Sequence, residues 1–177
     1  MYRLSRLRFL FPLGLFICFF LDGSLSKIFA NQFFSYPYLM VSQLVVLWLI
    51  FGAFFEENIQ IPLTGFAVAA GICADLYYSG ILGLFMFLYP AIVMFARALN
   101  RYYTPSFLYH ILIFFVSIAL LELLNYWAYY LVGVTRVGFA GFLLDTLGPT
   151  LALNLVYFIL LYWPVHRLYQ RALGEQH

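Results

Sequence analysis

Charged side chains are scarce in this sequence. Asp, Glu, Lys and Arg together make up 9% of the 177 residues, against about 25% in soluble globular domains. Hydrophobic residues reach 66%, well above the roughly 45–50% of a soluble domain. A soluble surface with so little charge would aggregate. The composition therefore excludes a water-soluble domain and predicts a chain that lies in lipid.

Cysteine and histidine are also scarce. The two cysteines, Cys18 and Cys73, each lie within an apolar run. We interpret both as small buried hydrophobic residues, because a disulfide framework or a metal site needs more ligands at closer spacing. The three histidines, His110, His166 and His177, are scattered along the chain, which is untypical of a metal site.

Motifs of known catalytic types are absent. The sequence contains no H-E-x-x-H, no G-x-S-x-G, no Walker loop and no cysteine–histidine pair. The segments between the apolar runs are too short to hold an active site outside the membrane. We therefore expect no enzyme, no cofactor, no metal and no nucleic-acid partner.

What the sequence does contain is a series of apolar runs. A helix that crosses a bilayer needs about 20 mostly apolar residues. The runs are residues 9–21, 38–55, 61–75, 81–96, 107–132 and 142–165. They predict an all-α, polytopic membrane protein of about six transmembrane helices in one bundle, with residues 1–177 forming a single transmembrane domain.

Two of these runs allow alternatives. The first run is either a cleaved signal peptide or a retained helix, and we favour the helix because no A-x-A cleavage site follows it. The third and fourth runs are either a hairpin or one interrupted segment. Ser79, Gly80 and Gly83 favour the hairpin, because they supply turn chemistry. The longest outside loop is predicted at Asp22–Pro37, lying on the membrane surface.

The positions of the basic residues predict the orientation. Cytoplasmic loops of membrane proteins are enriched in Lys and Arg. With six crossings and the N-terminus inside, only Lys27 and Arg136 lie outside. Seven arginines lie inside: Arg3, Arg6, Arg8, Arg97, Arg101, Arg167 and Arg171. Both termini are therefore predicted to be cytoplasmic.

Polar residues inside the apolar runs cost free energy in lipid, so each of them needs a structural or functional explanation. Asp75 is either a carboxylate at the water interface or a buried acid that caps a helix. Glu122 and Asn125, at i and i+3, share one helical face. An ionised glutamate at this depth is expensive, so Glu122 is predicted to be protonated or paired, with another helix or with a partner protein. Asn154 is predicted to hydrogen-bond between helices.

Two further features concern packing and the loops. In the third run, Ala67 with Gly71 and Ala70 with Ala74 form small-xxx-small pairs, which let helix backbones approach closely in the bundle core or at an oligomer seam. The adjacent Glu56-Glu57 pair is predicted to lie in a solvated loop or to bind a basic partner.

The region from Gly65 to Ala96 resembles the MreD family of rod shape-determining proteins. The segment that carries the resemblance is Gly71-Ile-Cys-Ala-Asp-Leu-Tyr-Tyr-Ser-Gly80-Ile-Leu-Gly83-Leu-Phe. A glycine precedes the acid, a short aromatic stretch follows it, and glycines open the next helix. The candidate partner or helix-packing residues are Gly71, Asp75, Tyr77, Tyr78, Gly80, Gly83, Glu122 and Asn125.

The resemblance implies a function and a fold. The function is that of a non-catalytic subunit of the bacterial cell-elongation machinery, multi-pass in the cytoplasmic membrane. Its implied partners are an MreC-like protein, a RodA-type glycan polymerase and a class B penicillin-binding protein, which it would scaffold. The implied fold is similar to the substrate-binding subunits of energy-coupling-factor transporters.

Two other functions stay open at the level of sequence. A vitamin-binding transporter subunit would use Asp75, Arg136 and Asp145 to line a polar pocket at the outer side. An intramembrane enzyme would need Asp75 and Glu122 close together in a water-filled cavity.

Overall fold

The structure, a computed structural model, describes residues 7–55, 62–102 and 106–174, and within these ranges it contains helices and no strand. The helices are α1 (Leu7–Ile28), α2 (Ala30–Phe33), α3 (Leu44–Phe55), α4 (Leu63–Ala74), α5 (Leu84–Tyr102), α6 (Phe107–Leu131), α7 (Phe139–Gly141) and α8 (Gly148–Gly174). Two π-helical segments extend them: Asp75–Ser79 continues α4, and Phe142–Leu147 joins α7 to α8. Glu56 and Glu57, predicted to lie in a solvated loop or to bind a basic partner, lie outside the described residues, as do Arg3, Arg6 and His177.

Among the described residues, four helical stretches are long and apolar enough to cross a membrane. They are Phe9–Ile28, Leu84–Tyr102, Phe107–Leu131 and Phe139–Arg171. Leu44–Phe55 and Leu63–Ser79 are apolar but shorter. The described residues are therefore consistent with the prediction of an all-α membrane protein.

The first helix extends further than the sequence predicted. We predicted a run over residues 9–21 and an outside loop over Asp22–Pro37, but α1 continues to Ile28 and α2 follows at once. The predicted loop is wrong for this part of the chain. The physical reason is that Asp22 does not end the helix in water, because its side chain is buried and hydrogen-bonded inside the protein.

The second helix is shorter than its apolar run. We predicted a span over residues 38–55, but α3 begins at Leu44, and residues 38–43 are non-helical. The chain here is held by side chains of α8, which replace the helical hydrogen bonds.

The other predicted boundaries move by several residues. The third helical run ends at Ser79 rather than at 75, and α5 begins at Leu84 rather than at 81. Gly80 and Gly83, with φ angles of 67° and 100°, set this break, because that region of φ strongly favours glycine. The last run begins with α7 at Phe139, three residues before the predicted start, and α8 ends at Gly174.

Helix α3 forms the centre of the bundle. Every residue of α3 except Trp48 is buried, as expected of a helix that is apolar on all sides. Helix α1 runs antiparallel to it, and the Trp48 indole N–H donates to the backbone carbonyl of Phe11 at 3.0 Å. Helix α8 runs parallel to it, with the rings of Phe51 and Phe158 5.3 Å apart.

The remaining helices alternate in direction around this centre. Helices α4 and α5 form the antiparallel hairpin that was predicted from Ser79, Gly80 and Gly83. At Gly71 a β-carbon would collide with the backbone of Phe85, so the two helices touch main chain to main chain. Helices α6 and α8 are also antiparallel, with Phe114 on Phe158 at 4.9 Å and Tyr126 on Phe142 at 4.3 Å. The small-residue face of α4, formed by Ala67, Ala70, Gly71 and Ala74, is buried within the chain itself.

Candidate functional site

A group of buried polar side chains surrounds the start of α3. It contains Asp22, Ser42, Gln43, Glu122, Thr150 and Asn154, all of them buried. We call these six residues the polar cluster. They come from α1, α6, α8 and the non-helical chain before α3, so the cluster joins distant parts of the sequence at one place.

Asp22 caps α3 from another helix. One carboxylate oxygen accepts from the Ser42 hydroxyl and from the backbone N–H of Leu44 at 2.9 Å. The other accepts from the backbone N–H of Val45 at 2.9 Å. The first N–H groups of a helix have no partner within the helix and carry partial positive charge. A carboxylate from α1 therefore satisfies them and fixes where α3 begins.

Thr150 and Asn154 of α8 hold the chain just before α3. The Thr150 hydroxyl accepts from the Val41 N–H at 3.1 Å. The Asn154 amide donates to the Val41 carbonyl at 2.8 Å and accepts from the Gln43 N–H at 2.9 Å. The carbonyl of Leu39 accepts from the Thr150 hydroxyl at 3.4 Å. Non-helical backbone that is buried away from water needs other protein groups to pair its N–H and C=O groups, and α8 supplies such groups here.

Glu122 of α6 completes the polar cluster. Its carboxylate accepts from the side-chain amide of Gln43 at 2.8 Å. The sequence predicted that Glu122 is protonated or paired. Its partner is the neutral side-chain amide of Gln43, in the same chain. Asn125 lies one turn further along α6, and its buried Oδ1 has no hydrogen-bond partner among the described residues.

Asp75 caps α5 as Asp22 caps α3. Its carboxylate accepts from the backbone N–H groups of Gly83 at 2.9 Å, Phe85 at 2.8 Å and Met86 at 3.1 Å. The Ser79 hydroxyl donates to it at 3.2 Å. The side chain is 1% exposed, so of the two interpretations left open by the sequence, the structure has the buried acid that caps a helix.

The aromatic residues of the α4–α5 turn lie at its surface. Tyr77 and Tyr78 are 77% and 51% exposed. The Tyr78 hydroxyl donates to the carbonyl of Phe19 in α1 at 2.9 Å, and both tyrosine rings contact the Phe19 ring. From α6, the Tyr129 hydroxyl donates to the Ser79 carbonyl at 3.2 Å. The turn is thus fixed between α1 and α6, and it leaves two aromatic faces free.

A second polar group holds the other end of α3, and sequence reasoning missed it. The ring nitrogens of His110 lie 2.9 Å from the Tyr162 hydroxyl and 3.2 Å from Oδ1 of Asn100. The Asn100 amide donates to the Ala53 carbonyl at 3.4 Å. The His110 ring stacks on Phe54 at 4.3 Å. The only sequence signal was a histidine and an asparagine at the ends of apolar runs.

The described residues do not bring together the groups that the other two functions require. Asp75 binds the start of α5, whereas Glu122 binds Gln43. Asp75 makes no hydrogen bond or ion pair with Arg136 or Asp145 in the described part of the chain, and Arg136 is exposed. No cluster of three or more metal-ligating side chains occurs within the described ranges. The arrangement fixes helix ends, which is a structural task.

Comparison with known proteins agrees with the resemblance seen in the sequence. The family model described as rod shape-determining protein MreD matches residues 7–172, nearly the whole chain. The chain belongs to the MreD family. A relative of this family, the rod shape-determining protein MreD of Bacillus subtilis (strain 168), is 26% identical over 170 residues, covering 96% of each chain. No solved structure matches.

Membership of the MreD family fits the helices described above. The chain is a rod shape-determining protein, multi-pass in the bacterial inner membrane. The glycines and the acid of the family-like segment build the α4–α5 turn and its internal cap. The roles of Tyr77, Tyr78, Glu122 and Asn125 as partner contacts stay predictions.

Removal of the Asp75 carboxylate is expected to destabilise the hairpin. Asp75→Ala leaves three N–H groups at the start of α5 without an acceptor, one of them buried and two partly buried, which costs at least about 2 kcal/mol in the free energy of unfolding. The measurement is thermal unfolding of the purified protein in mild detergent. Asp145→Ala is the matched control, because the Asp145 carboxylate makes no hydrogen bond among the described residues. Equal losses for the two variants would contradict the capping role.

Removal of the Asn154 amide is expected to release the chain before α3. Asn154→Leu keeps the branched side-chain shape but leaves the Gln43 N–H and the Val41 carbonyl unpaired. An unsatisfied buried group costs about 1–3 kcal/mol, so exchange of the Gln43 amide should speed up roughly 5- to 150-fold. Hydrogen–deuterium exchange over residues 39–45 measures it. Ser117→Ala is the control, since the buried Ser117 hydroxyl has no partner among the described residues. Unchanged exchange in Asn154→Leu would exclude this role of Asn154.

Proposed function

We propose that this chain is a non-catalytic subunit of the bacterial cell-elongation machinery that scaffolds other membrane proteins. One observation carries the proposal: the buried carboxylates of the described helices bind groups of this same chain. Asp22 and Asp75 bind helix N-termini, and Glu122 binds the amide of Gln43. These carboxylates therefore fix the arrangement of the helices. A fixed helical bundle with apolar outer faces is suited to bind other membrane proteins.

We propose six membrane crossings, with both termini in the cytoplasm. Helix α3 has 12 residues, about 18 Å of rise, and the five residues before it add about 16 Å if extended. Their sum exceeds the ~30 Å hydrocarbon core. The continuous helical run from Leu63 to Ser79 rises about 25 Å. The alternating helix directions and the arginine distribution support an even number of crossings. The likeness of fold to substrate-binding subunits of energy-coupling-factor transporters belongs to the same proposal.

The proposed partners are those that the family resemblance implies. They are an MreC-like protein, a RodA-type polymerase and a class B penicillin-binding protein. In lipid, helices associate through close packing and a few hydrogen bonds, so rigid exposed aromatic side chains are suitable contacts. Tyr77 and Tyr78 have this character, because their turn is fixed to α1 and α6 while their rings remain half or more exposed. We propose this turn as a contact with the MreC-like protein.

The proposal is tested by complementation and pull-down in a rod-shaped bacterium depleted of its own MreD-family protein. The wild-type chain should restore rod shape and retain elongation proteins when purified from the membrane in mild detergent. Tyr77→Ala with Tyr78→Ala should reduce the bound MreC-like protein at least about tenfold, as expected for loss of two interface anchors. Tyr102→Ala is the control, an exposed tyrosine at the far end of α5. A wild-type chain that retains no elongation protein would refute the scaffold.

The topology is tested by labelling introduced cysteines with a membrane-impermeant maleimide. In a background with Cys18 and Cys73 replaced by alanine, we expect Val134→Cys, in the exposed loop after α6, to react in intact cells. Cysteines added at the two ends of the chain should react only after permeabilisation. Labelling of the two ends from opposite sides would contradict an even number of crossings.

A further inference from the structure

An apolar groove opens between α1 and α8, with α3 as its floor. It has a volume of about 260 Å³. Leu13 and Ile17 line it from α1, Leu47 and Trp48 from α3, and Leu161 and Val165 from α8. The polar atom of the Trp48 ring is already bound to Phe11, so the indole offers carbon surface to the groove. The groove therefore suits a hydrocarbon occupant.

The length of the groove matches one leaflet of the bilayer. Along α1 it extends from Leu10 to Leu21, a rise of about 16 Å. That is about half of the ~30 Å hydrocarbon core. A partner's transmembrane helix would need a groove of the full thickness, whereas an acyl chain of one leaflet needs only half. The dimensions favour a lipid chain.

Two arginines lie at the C-terminal end of the groove on α8. Leu168 lines the groove and also a second, adjoining pocket of about 380 Å³, which it shares with Pro164, Arg167 and Arg171. Arg167 and Arg171 are exposed and stand at i and i+4, on one face of α8. Neither forms an ion pair within the described residues, so this pair of positive charges is available to an anion.

From these two observations we propose that the groove binds one anionic phospholipid. One acyl chain lies against α1, α3 and α8, and the phosphate lies against Arg167 and Arg171. Basic pockets beside transmembrane helices are suited to anionic headgroups, and guanidinium groups bind phosphate through charge-assisted hydrogen bonds. A phospholipid carries an anionic phosphate and a hydrocarbon chain in one molecule. The protein likewise has an arginine pair beside an apolar groove. The proposal requires only that the chain lies in a membrane, so it stands independently of the scaffolding function.

Native mass spectrometry of the full chain, loaded in detergent with a defined lipid, tests the proposal. The two lipids are phosphatidylglycerol and phosphatidylcholine with identical acyl chains. We expect one phosphatidylglycerol to be retained in preference to phosphatidylcholine. Arg167→Gln with Arg171→Gln should weaken phosphatidylglycerol retention roughly 25-fold, since each basic residue contributes about 1 kcal/mol and 1.4 kcal/mol is tenfold.

Two variants separate the groove from general charge. Arg101→Gln is the control for charge, because Arg101 lies near the same end of the bundle but on α5, and it should change nothing. Ile17→Trp is the probe of the groove: Ile17 is 49% exposed, and the larger ring occupies the space of the acyl chain, so retention of both lipids should fall. Circular dichroism confirms folding, and Leu13→Trp replaces Ile17→Trp if that variant is unstable.

Four results would overturn the proposal. One is equal retention of the two lipids by the wild-type chain. Another is a preference for phosphatidylglycerol that survives the loss of both arginines. The third is retention that neither tryptophan variant alters, which would place the lipid outside the groove. A protein helix that crosslinks to Ile17→Cys in native membranes and displaces phosphatidylglycerol would likewise replace the lipid as occupant.

Discussion

A backbone N–H group that lacks a partner in hydrocarbon costs several kcal/mol, because no water is present to bind it. Helix α3 starts inside the protein, and its first N–H groups would carry that cost. The carboxylate of Asp22 removes it by accepting from Leu44 and Val45. The chain before α3 meets the same requirement through Thr150 and Asn154. This set of hydrogen bonds therefore fixes one end of α3 against both α1 and α8.

The same constraint explains the other helix ends. Asp75 satisfies the start of α5, and Asn100 satisfies a carbonyl at the end of α3. Helices can therefore begin and end within the bundle at fixed depths, and α3 can be much shorter than a bilayer. Such a bundle resists sliding of one helix along another. Resistance to sliding is useful to a protein that determines shape, because partners then meet surfaces of constant geometry.

Sequence reasoning was sound where the signal was local. The apolar runs predict the helices. The glycines and the acid of the Gly71–Gly83 segment predict the family and the α4–α5 turn. It was wrong where the cause was distant. A charge usually ends an apolar run, so the sequence predicts a helix end at Asp22. The sequence does not predict the non-helical chain before Leu44, because residues 38–43 are compatible with a helix. The groups that hold them out of a helix lie far along the chain: Asn154, one of them, is 113 positions away from Val41.

The polar cluster and the proposed lipid groove share two helices. Helix α1 carries Asp22 and one wall of the groove, and α8 carries Asn154 and the other wall. An occupant of the groove therefore fills the space between the two helices that hold the start of α3. Binding that favours one spacing of α1 and α8 stabilises the conformation with that spacing by its differential affinity. The membrane would then contribute an anionic component to the rigidity of the bundle, in addition to serving as its solvent.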